Sequence, residues 1–438
     1  GATVMPLDRQ LERDTLSGIL KDSRPAIVFA DADQARRMRD AGGEGIPIYR
    51  TDGEEADAES WQGLRSDQEP SLPEISSDQR AALFYTSGTT GPPKGVPLSH
   101  ANLVFQIETV RRTGLITADD RVLQPLPMHH VYPFVIGTLA PLALGLTLVR
   151  PYALTGPQML RALREGRATV LLGVPRLYDA LFSGMASRFE SHAASRILFD
   201  RGLGMLADVQ GSPLARWGHT LLGPLRRRMA PDLRIMASGG APLAPDLGAR
   251  LAALGWGVAV GYGLTETAPL LTIKMPDDPH FDSVGRAVEG VRLRIDPSAL
   301  PEERKEGTES GEGEILARGP NVFAGYHNLP EKTEAAFTED GWYRTGDIGR
   351  LDDAGYLRIS GRVSTLIVTP GGENIQPDDI ESHLERHPVI REAGVLALDD
   401  GTLAAVVVPE IRAMRERDIR NADRAARDAV AERSRGLP

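Results

Sequence analysis

Thr86, Ser87, Thr89, Thr90 and Lys94, set among Gly88, Gly91 and Gly95 in the stretch YTSGTTGPPKG from Tyr85 to Gly95, are suited to hold an anion. The glycines let main-chain N–H groups approach a phosphate with no Cβ in the way, the hydroxyls add donors, and Lys94 brings a cation. The chemistry implied is the binding of a nucleoside triphosphate. One class of such loop is excluded by spacing. A Walker loop needs Gly, four residues and then Gly-Lys-Ser/Thr, whereas Lys94 follows Pro93 and precedes Gly95. The bland alternative, a Gly/Thr surface turn, requires glycines, hydroxyls and lysine to coincide without cause.

The elements that must position this loop are legible on either side of it. The apolar run from Ala81 to Tyr85 predicts a strand leading in, and a strand followed by such a loop is how a backbone wraps a phosphate. Beyond the loop, Ser99 to Thr113 carries Leu103, Val104, Ile107 and Val110 at helical spacing, so a helix is predicted with one face packed on a sheet. Leu16 to Asp22 reads as the end of a helix and Ala26 to Ala30 as a short buried strand; Val170 to Pro175 and Leu233 to Ser238 read as further apolar strands. This βα alternation predicts a parallel sheet. Val122 to Val149 holds no Asp, Glu, Lys or Arg, and its length would suit a membrane helix. Pro127, Pro133, Pro141, Gly137 and Gly145 interrupt it, so strand, loop, buried helix and strand are predicted in place of an integral span.

Composition narrows the class. With 438 residues, 41% hydrophobic and 25% charged, the chain has the make-up of a globular protein of one large core or two to three domains. A net charge of -10 argues against nucleic acid as a partner, and the absence of cysteine excludes disulfides, thiol catalysis and Cys metal sites.

The match to TSGTTGxPKG at Thr86 to Gly91 and Pro93 to Gly95 resembles the signature of the adenylate-forming enzymes, which include acyl-CoA synthetases, aryl-CoA ligases, luciferases and peptide-synthetase adenylation domains. Further motifs follow in the family's order. Ser238-Gly239-Gly240-Ala241-Pro242 and Gly261-Tyr262-Gly263-Leu264-Thr265-Glu266 resemble the adenine slot: small Gly240 and Ala241 leave room for a flat base, on which Tyr262 can stack. Thr265 resembles the α-phosphate contact and Glu266 the Mg²⁺ ligand. His130, in LPMHHVYPF, occupies the position of a histidine beside the carboxylate and acyl tunnel; a hydrogen-bonded core histidine is the competing reading. That segment lacks the aspartate that amino-acid-activating members use for an ammonium group, which disfavours an amino-acid substrate. Asp347, in GWYRTGD, resembles the ribose-binding aspartate, and Arg362 an arginine contacting ribose or phosphate at the hinge of a small C-terminal domain. Gly371, Gly372 and Glu373 resemble the loop that lines the thiol tunnel. Ser364 departs from the Lys or Asp that relatives carry two residues beyond the hinge arginine.

The resemblance implies an α/β fold: a large domain over residues 1–361, of stacked mixed and parallel sheets with helices and a small β-barrel-like part, then a small, truncated α+β domain over 362–438. Pro301 to Glu314 is expected as an exposed insertion, and the charged stretch Ile411 to Arg435 as helical with few apolar positions to dock. Both ends of the family unit are expected to lie outside this sequence, including a late lysine, with weak adenylation as the consequence. The implied activity is ATP-dependent conversion of a carboxylic acid, in first place a fatty acid, to acyl-AMP and then to a thioester. ATP, Mg²⁺ and coenzyme A or a carrier-protein pantetheine take part, so an acyl carrier protein is a candidate partner. A cytoplasmic location, with peripheral membrane contact left open, goes with this reading. An aryl-acid CoA ligase and an impaired nucleotide-binding or interaction module are the alternatives.

Overall fold

Consecutive residues of a strand face opposite ways, so a strand buried on both sides reads as an unbroken apolar run; this is how the central strands of this protein are built. The computed structural model describes residues 2–53, 59–64, 73–86, 92–186, 226–299, 311–363, 367–368, 374–375, 377–385, 387–398, 403–417, 419 and 421–434. They divide into two compact units, 1–292 with 317–343, and 293–316 with 344–438.

The first unit opens with helix α1 (Arg13–Ser23), strand β1 (Val28–Ala30), helix α2 (Ala32–Met38) and strand β2 (Ile48–Arg50), which pairs parallel to β1. β1 departs from the buried strand expected: Ala30 is buried, but Phe29 is 54% exposed because the two-stranded sheet is covered on one face only. Strand β3 (Arg80–Thr86) and strand β4 (Lys94–Ser99) pair antiparallel. Helix α3 (His100–Thr113) follows, its first turn closed by a reciprocal cap between Ser99 and Asn102. The uncharged stretch then forms β5 (Arg121–Leu123), helix α4 (Val131–Phe134), a π-helical turn (Val135–Leu139), helix α5 (Ala140–Ala143) and β6 (Thr147–Val149). Among the described residues no helix is long and apolar enough to cross a membrane.

Helix α6 (Gly156–Glu165), β7 (Val170–Gly173), α7 (Pro175–Ala186), β8 (Ile235–Ser238), α8 (Pro245–Ala253), β9 (Gly257–Gly263), β10 (Leu270–Lys274) and β11 (Arg286–Ala287) complete a seven-stranded sheet in the order β11-β10-β9-β8-β7-β5-β6. The strands from β6 to β9 are parallel, and β10 and β11 run antiparallel. Leu123, Leu171, Met236 and Val258 face the cluster formed with α6, α7 and α8, while Val122, Val170, Leu172 and Ile235 face Ile116, Tyr132 and Ile136. At the N-terminal ends of three strands, Asp120 accepts hydrogen bonds from Thr169 Oγ1 (2.6 Å), Arg234 Nε (2.8 Å) and the Thr117 N–H (2.7 Å).

The four-stranded sheet β12 (Arg292–Asp296), β13 (Gly313–Arg318), β14 (Tyr343–Leu351) and β15 (Leu357–Arg362) falls almost wholly in the second unit. Where a small barrel-like part is expected, the described residues form this open sheet and the separate β3–β4 pair. The expected exposed insertion is corrected at its end: Glu314 lies on β13 and is 5% exposed, held by Arg344, while 300–310 lie outside the described residues. Between these strands, helix α9 (Pro330–Ala335) belongs to the first unit. The second unit ends in short strands β16 (Ile367–Val368) and β17 (Asn374–Ile375), then α10 (Pro377–Glu385), the antiparallel pair β18 (Ile390–Ala397) and β19 (Leu403–Pro409), α11 (Ile411–Glu416) and α12 (Ala422–Arg433). The last stretch docks better than its charge suggests. Met414 and Ala429 are buried beside Leu384, Val389 and Ile390, since alanine lets helix and sheet approach closely.

Candidate active site

Ligands of a parallel α/β sheet bind beyond the C-terminal ends of its strands, and the glycine motifs leave the sheet at those ends. The Gly239–Pro242 turn follows β8, and Tyr262 and Gly263 end the adjacent β9, paired to β8 in register from Ile235↔Gly257 to Ser238↔Val260. Gly240 takes a left-handed φ of 81°, and Gly240, Ala241 and Pro242 are exposed, while Gly261 and Tyr262 are half-buried. Gly263 has no room for a side chain: a Cβ there would overlap the Pro269 carbonyl oxygen.

Thr265 and Glu266 stand on a tight turn that distant side chains hold. The Thr267 and Leu270 carbonyls each accept from two amides, Gln106 Nε2 at 3.1 and 2.9 Å and Asn321 Nδ2 at 3.0 and 2.9 Å. The Phe323 N–H donates to the Glu266 carbonyl at 2.9 Å. Glu266 itself is 8% exposed, and its Oε1 accepts from Tyr326 Oη at 2.9 Å. Burial first, and then the Glu266 charge, push the Tyr326 phenol's pKa up, so it remains a donor. Lys94 Nζ lies 4.6 Å from the centroid of the same ring. One tyrosine thus joins the cation at the end of the phosphate loop to the buried carboxylate. Thr86 is the Cα partner of Lys94 across the β3–β4 pair; Ser87, Gly88, Thr89, Thr90 and Gly91 lie outside the described residues, as do Gly371, Gly372 and Glu373.

Among the described residues, no contact brings His130 into this array. Its ring centroid is 4.2 Å from that of His129, whose Nε2 is 3.8 Å from Asp8 Oδ2. Desolvation pulls the His130 pKa down, His129 pulls the same way and Asp8 opposes, which favours the neutral ring. In the second unit, Asp347 on β14 is 5% exposed and accepts from Arg362 Nε on β15 at 2.7 Å; the two are paired in register. The Arg362 side chain is 44% exposed.

Sequence reasoning missed Tyr326, Gln106 and Asn321 as site residues. Tyr326 and Asn321 sit in a stretch that follows the family pattern, but nothing local announces their partners.

A family profile described as AMP-binding enzyme matches residues 1–327. The long-chain-fatty-acid–CoA ligase FadD15 of Mycobacterium bovis is 31% identical over 423 residues, covering 90% of this chain and 67% of its own length. The long-chain-fatty-acid–CoA ligase heimdall of Drosophila melanogaster is 34% identical over 333 residues, 71% of this chain, which spans only 47% of that relative. Among solved structures, ATP-bound MatB from Rhodopseudomonas palustris superposes with a TM-score of 0.70 at 28% identity, covering 96% of this chain and 77% of its own.

Proposed function

The chain belongs to the AMP-binding enzyme family, and from that premise we propose that it is an AMP-forming acid–thiol ligase. An oxygen of a carboxylic acid, in first place a fatty acid, attacks the α-phosphorus of ATP; the α–β phosphoanhydride bond breaks and pyrophosphate leaves with the electron pair. The thiol of coenzyme A then attacks the acyl carbon of the acyl-AMP, losing its proton as AMP departs. A carrier-protein pantetheine is the alternative acceptor.

The observation that carries this reading is the Lys94–Tyr326–Glu266 array at the strand ends. Mg²⁺ favours one or two carboxylates with phosphate and water oxygens in its remaining positions. A single buried carboxylate fits that demand: Tyr326 holds Oε1, no hydrogen bond among the described residues reaches Oε2, and no cluster of three or more His, Asp or Glu among them competes for a cation. Bound there, Mg²⁺ would neutralise charge on the phosphate oxygens. Lys94 draws the β- and γ-phosphates, Thr265 donates to the α-phosphate, and Tyr262 with the Gly240–Pro242 turn flanks the base. Asp347 accepts from the ribose hydroxyls, with Arg362 orienting it, and His130 borders the acid's carboxylate. Residues 362–438 act as the mobile small domain and Gly371–Glu373 line the thiol path. Such a reaction is mostly positioning and charge neutralisation.

Acid-dependent exchange of labelled pyrophosphate into ATP tests the proposal. The expected result is exchange with a fatty acid that Glu266→Gln abolishes. ATP binding without exchange for any fatty or aryl acid would replace this reading with that of a nucleotide-binding module.

A further inference from the structure

Three segments far apart in the sequence meet at one carboxylate beside the phosphate loop. Asp22, in the last turn of α1, accepts from Tyr85 Oη at 2.6 Å through Oδ2 and from Asn328 Nδ2 at 2.8 Å through Oδ1, spans of 63 and 306 residues. Tyr85 immediately precedes Thr86 at the end of β3, and Asn328 lies two residues beyond Tyr326. Each thus stands next to the candidate nucleotide site without belonging to the Lys94–Tyr326–Glu266 array.

The returning limb of the loop is gathered into the same group. Tyr85 is paired with Gly95 across β3 and β4, as Thr86 is with Lys94. The Gly95 carbonyl accepts from the His327 N–H at 2.8 Å. A Cβ at Gly95 would stand 3.0 Å from His327 Cβ and 3.4 Å from Tyr85 Cε1, so the missing side chain is what lets the turn and the tyrosine ring close on this limb. The turn is held from behind as well. The Tyr326 N–H donates to Thr333 Oγ1 at 2.9 Å, and Asn328 takes a left-handed φ of 53°.

The donors and acceptors at Asp22 fit one arrangement. A phenol and an amide each donate to a separate carboxylate oxygen, and bonds of this kind are about twice as strong as those between neutral groups. Burial first, and then the bond to Asp22, push the Tyr85 phenol's pKa up, so it remains a donor.

We propose that Asp22, Tyr85 and Asn328 form a clasp that positions Thr86 and Lys94 for the outer phosphates of ATP, with Tyr85 as the positioning residue at the loop. The inference rests on the nucleotide role proposed above for Lys94. It places a determinant of triphosphate binding in α1, ahead of every family motif in the chain. Contacts to the outer phosphates are made in the ground state and the transition state alike, so loosening the clasp raises KM for MgATP and leaves kcat nearly unchanged.

The test is calorimetric titration of the full chain, and of its Tyr85→Phe and Asp22→Ala variants, with MgATP and separately with AMP. AMP carries the base, the ribose and the α-phosphate but neither outer phosphate. Each variant should bind MgATP about three- to tenfold more weakly, the range expected of one hydrogen bond, and AMP within about twofold of the native protein. The double variant should match Asp22→Ala to within about twofold, because the tyrosine then has no carboxylate left to lose. If Asp22→Ala does not fold, Tyr85→Phe, which keeps the ring against Gly95, carries the point. A loss shared equally by ATP and AMP, or no loss for ATP, overturns the clasp. Pyrophosphate exchange with a fatty acid separates the clasp from the function beneath it. Exchange at the native KM for MgATP in Tyr85→Phe sinks the clasp and leaves acid activation standing, whereas selective loss of ATP affinity in a chain that exchanges with no acid keeps the clasp and sinks acid activation.

Discussion

Replacing Tyr326 with phenylalanine removes one hydroxyl from the candidate site and leaves the ring. In the native protein that hydroxyl donates to Glu266 Oε1 at 2.9 Å, and the ring packs edge-on against Phe323 with centroids 4.9 Å apart while facing Lys94 Nζ. A hydrogen bond to an ionised group contributes about 1.5–3 kcal/mol. Glu266 is only 8% exposed, so water does not readily take the lost donor's place. At about 1.4 kcal/mol per tenfold, kcat/KM for MgATP in acid-dependent pyrophosphate release should fall by roughly 10- to 100-fold. Tyr326→Leu also removes the face presented to Lys94, a contact contributing about 0.5–1 kcal/mol at a partly exposed site, and should cost a further two- to fivefold. Thermal unfolding of both variants, run beside the kinetics, distinguishes a damaged site from a damaged fold. If Tyr326→Phe keeps the native kcat/KM while Glu266→Gln abolishes activity, the phenol does not position the carboxylate and the reasoning is refuted.

Three other perturbations probe the scaffold. Gly263→Ala should lose at least about 3 kcal/mol in denaturant unfolding because its Cβ meets backbone at Pro269; Gly346→Ala, with φ 72° and open space around it, should lose only about 1–2 kcal/mol. Gln106→Ala and Asn321→Ala should each destabilise by about 1–3 kcal/mol, and the double variant by more than their sum, since only then do the two buried carbonyls lose both amides. Burial alone would raise the Asp120 carboxyl, but bonds from Arg234, Thr169 and Thr117 outweigh it and hold the pKa at about 2 against an ordinary 3.8. A depressed folded pKa adds stability above the unfolded value and loses it as pH falls from about 4 through about 2. Asp120→Asn should therefore cost about 1–2 kcal/mol at neutral pH and flatten the acid limb of the stability curve in that window, a figure discounted because Arg234 is 42% exposed.

What was legible in the sequence was local. The run Ala81 to Phe84 is apolar throughout and becomes β3; of the four residues read as one face of α3, Leu103 and Val110 are buried, but Val104 is 60% exposed and Asn102, Gln106 and Thr109 complete the buried face. The uncharged stretch resolves into strand, helical turns and strand because its prolines and glycines fall where one long helix would need neither. The missed residues act over distance. Tyr326 lies 60 positions from Glu266 and Gln106 lies 161 from Thr267, and no periodicity relates such pairs. The C-terminal stretch reads as having few apolar positions to dock because charge dominates it, yet Ala426 and Ala429 are buried, their small size permitting close approach.

The pair of amides beneath Thr265 and Glu266 also sets an order of assembly. Both donate to the Thr267 and Leu270 carbonyls, and neither amide oxygen, Gln106 Oε1 or Asn321 Oδ1, has a partner among the described residues. In synthesis Gln106 precedes both carbonyls and Asn321 follows them, so the full set of bonds beneath Glu266 can form only once Asn321 has been made. A nascent chain paused between Leu270 and Asn321 would carry every residue of the turn and still lack one of the two amides that hold it.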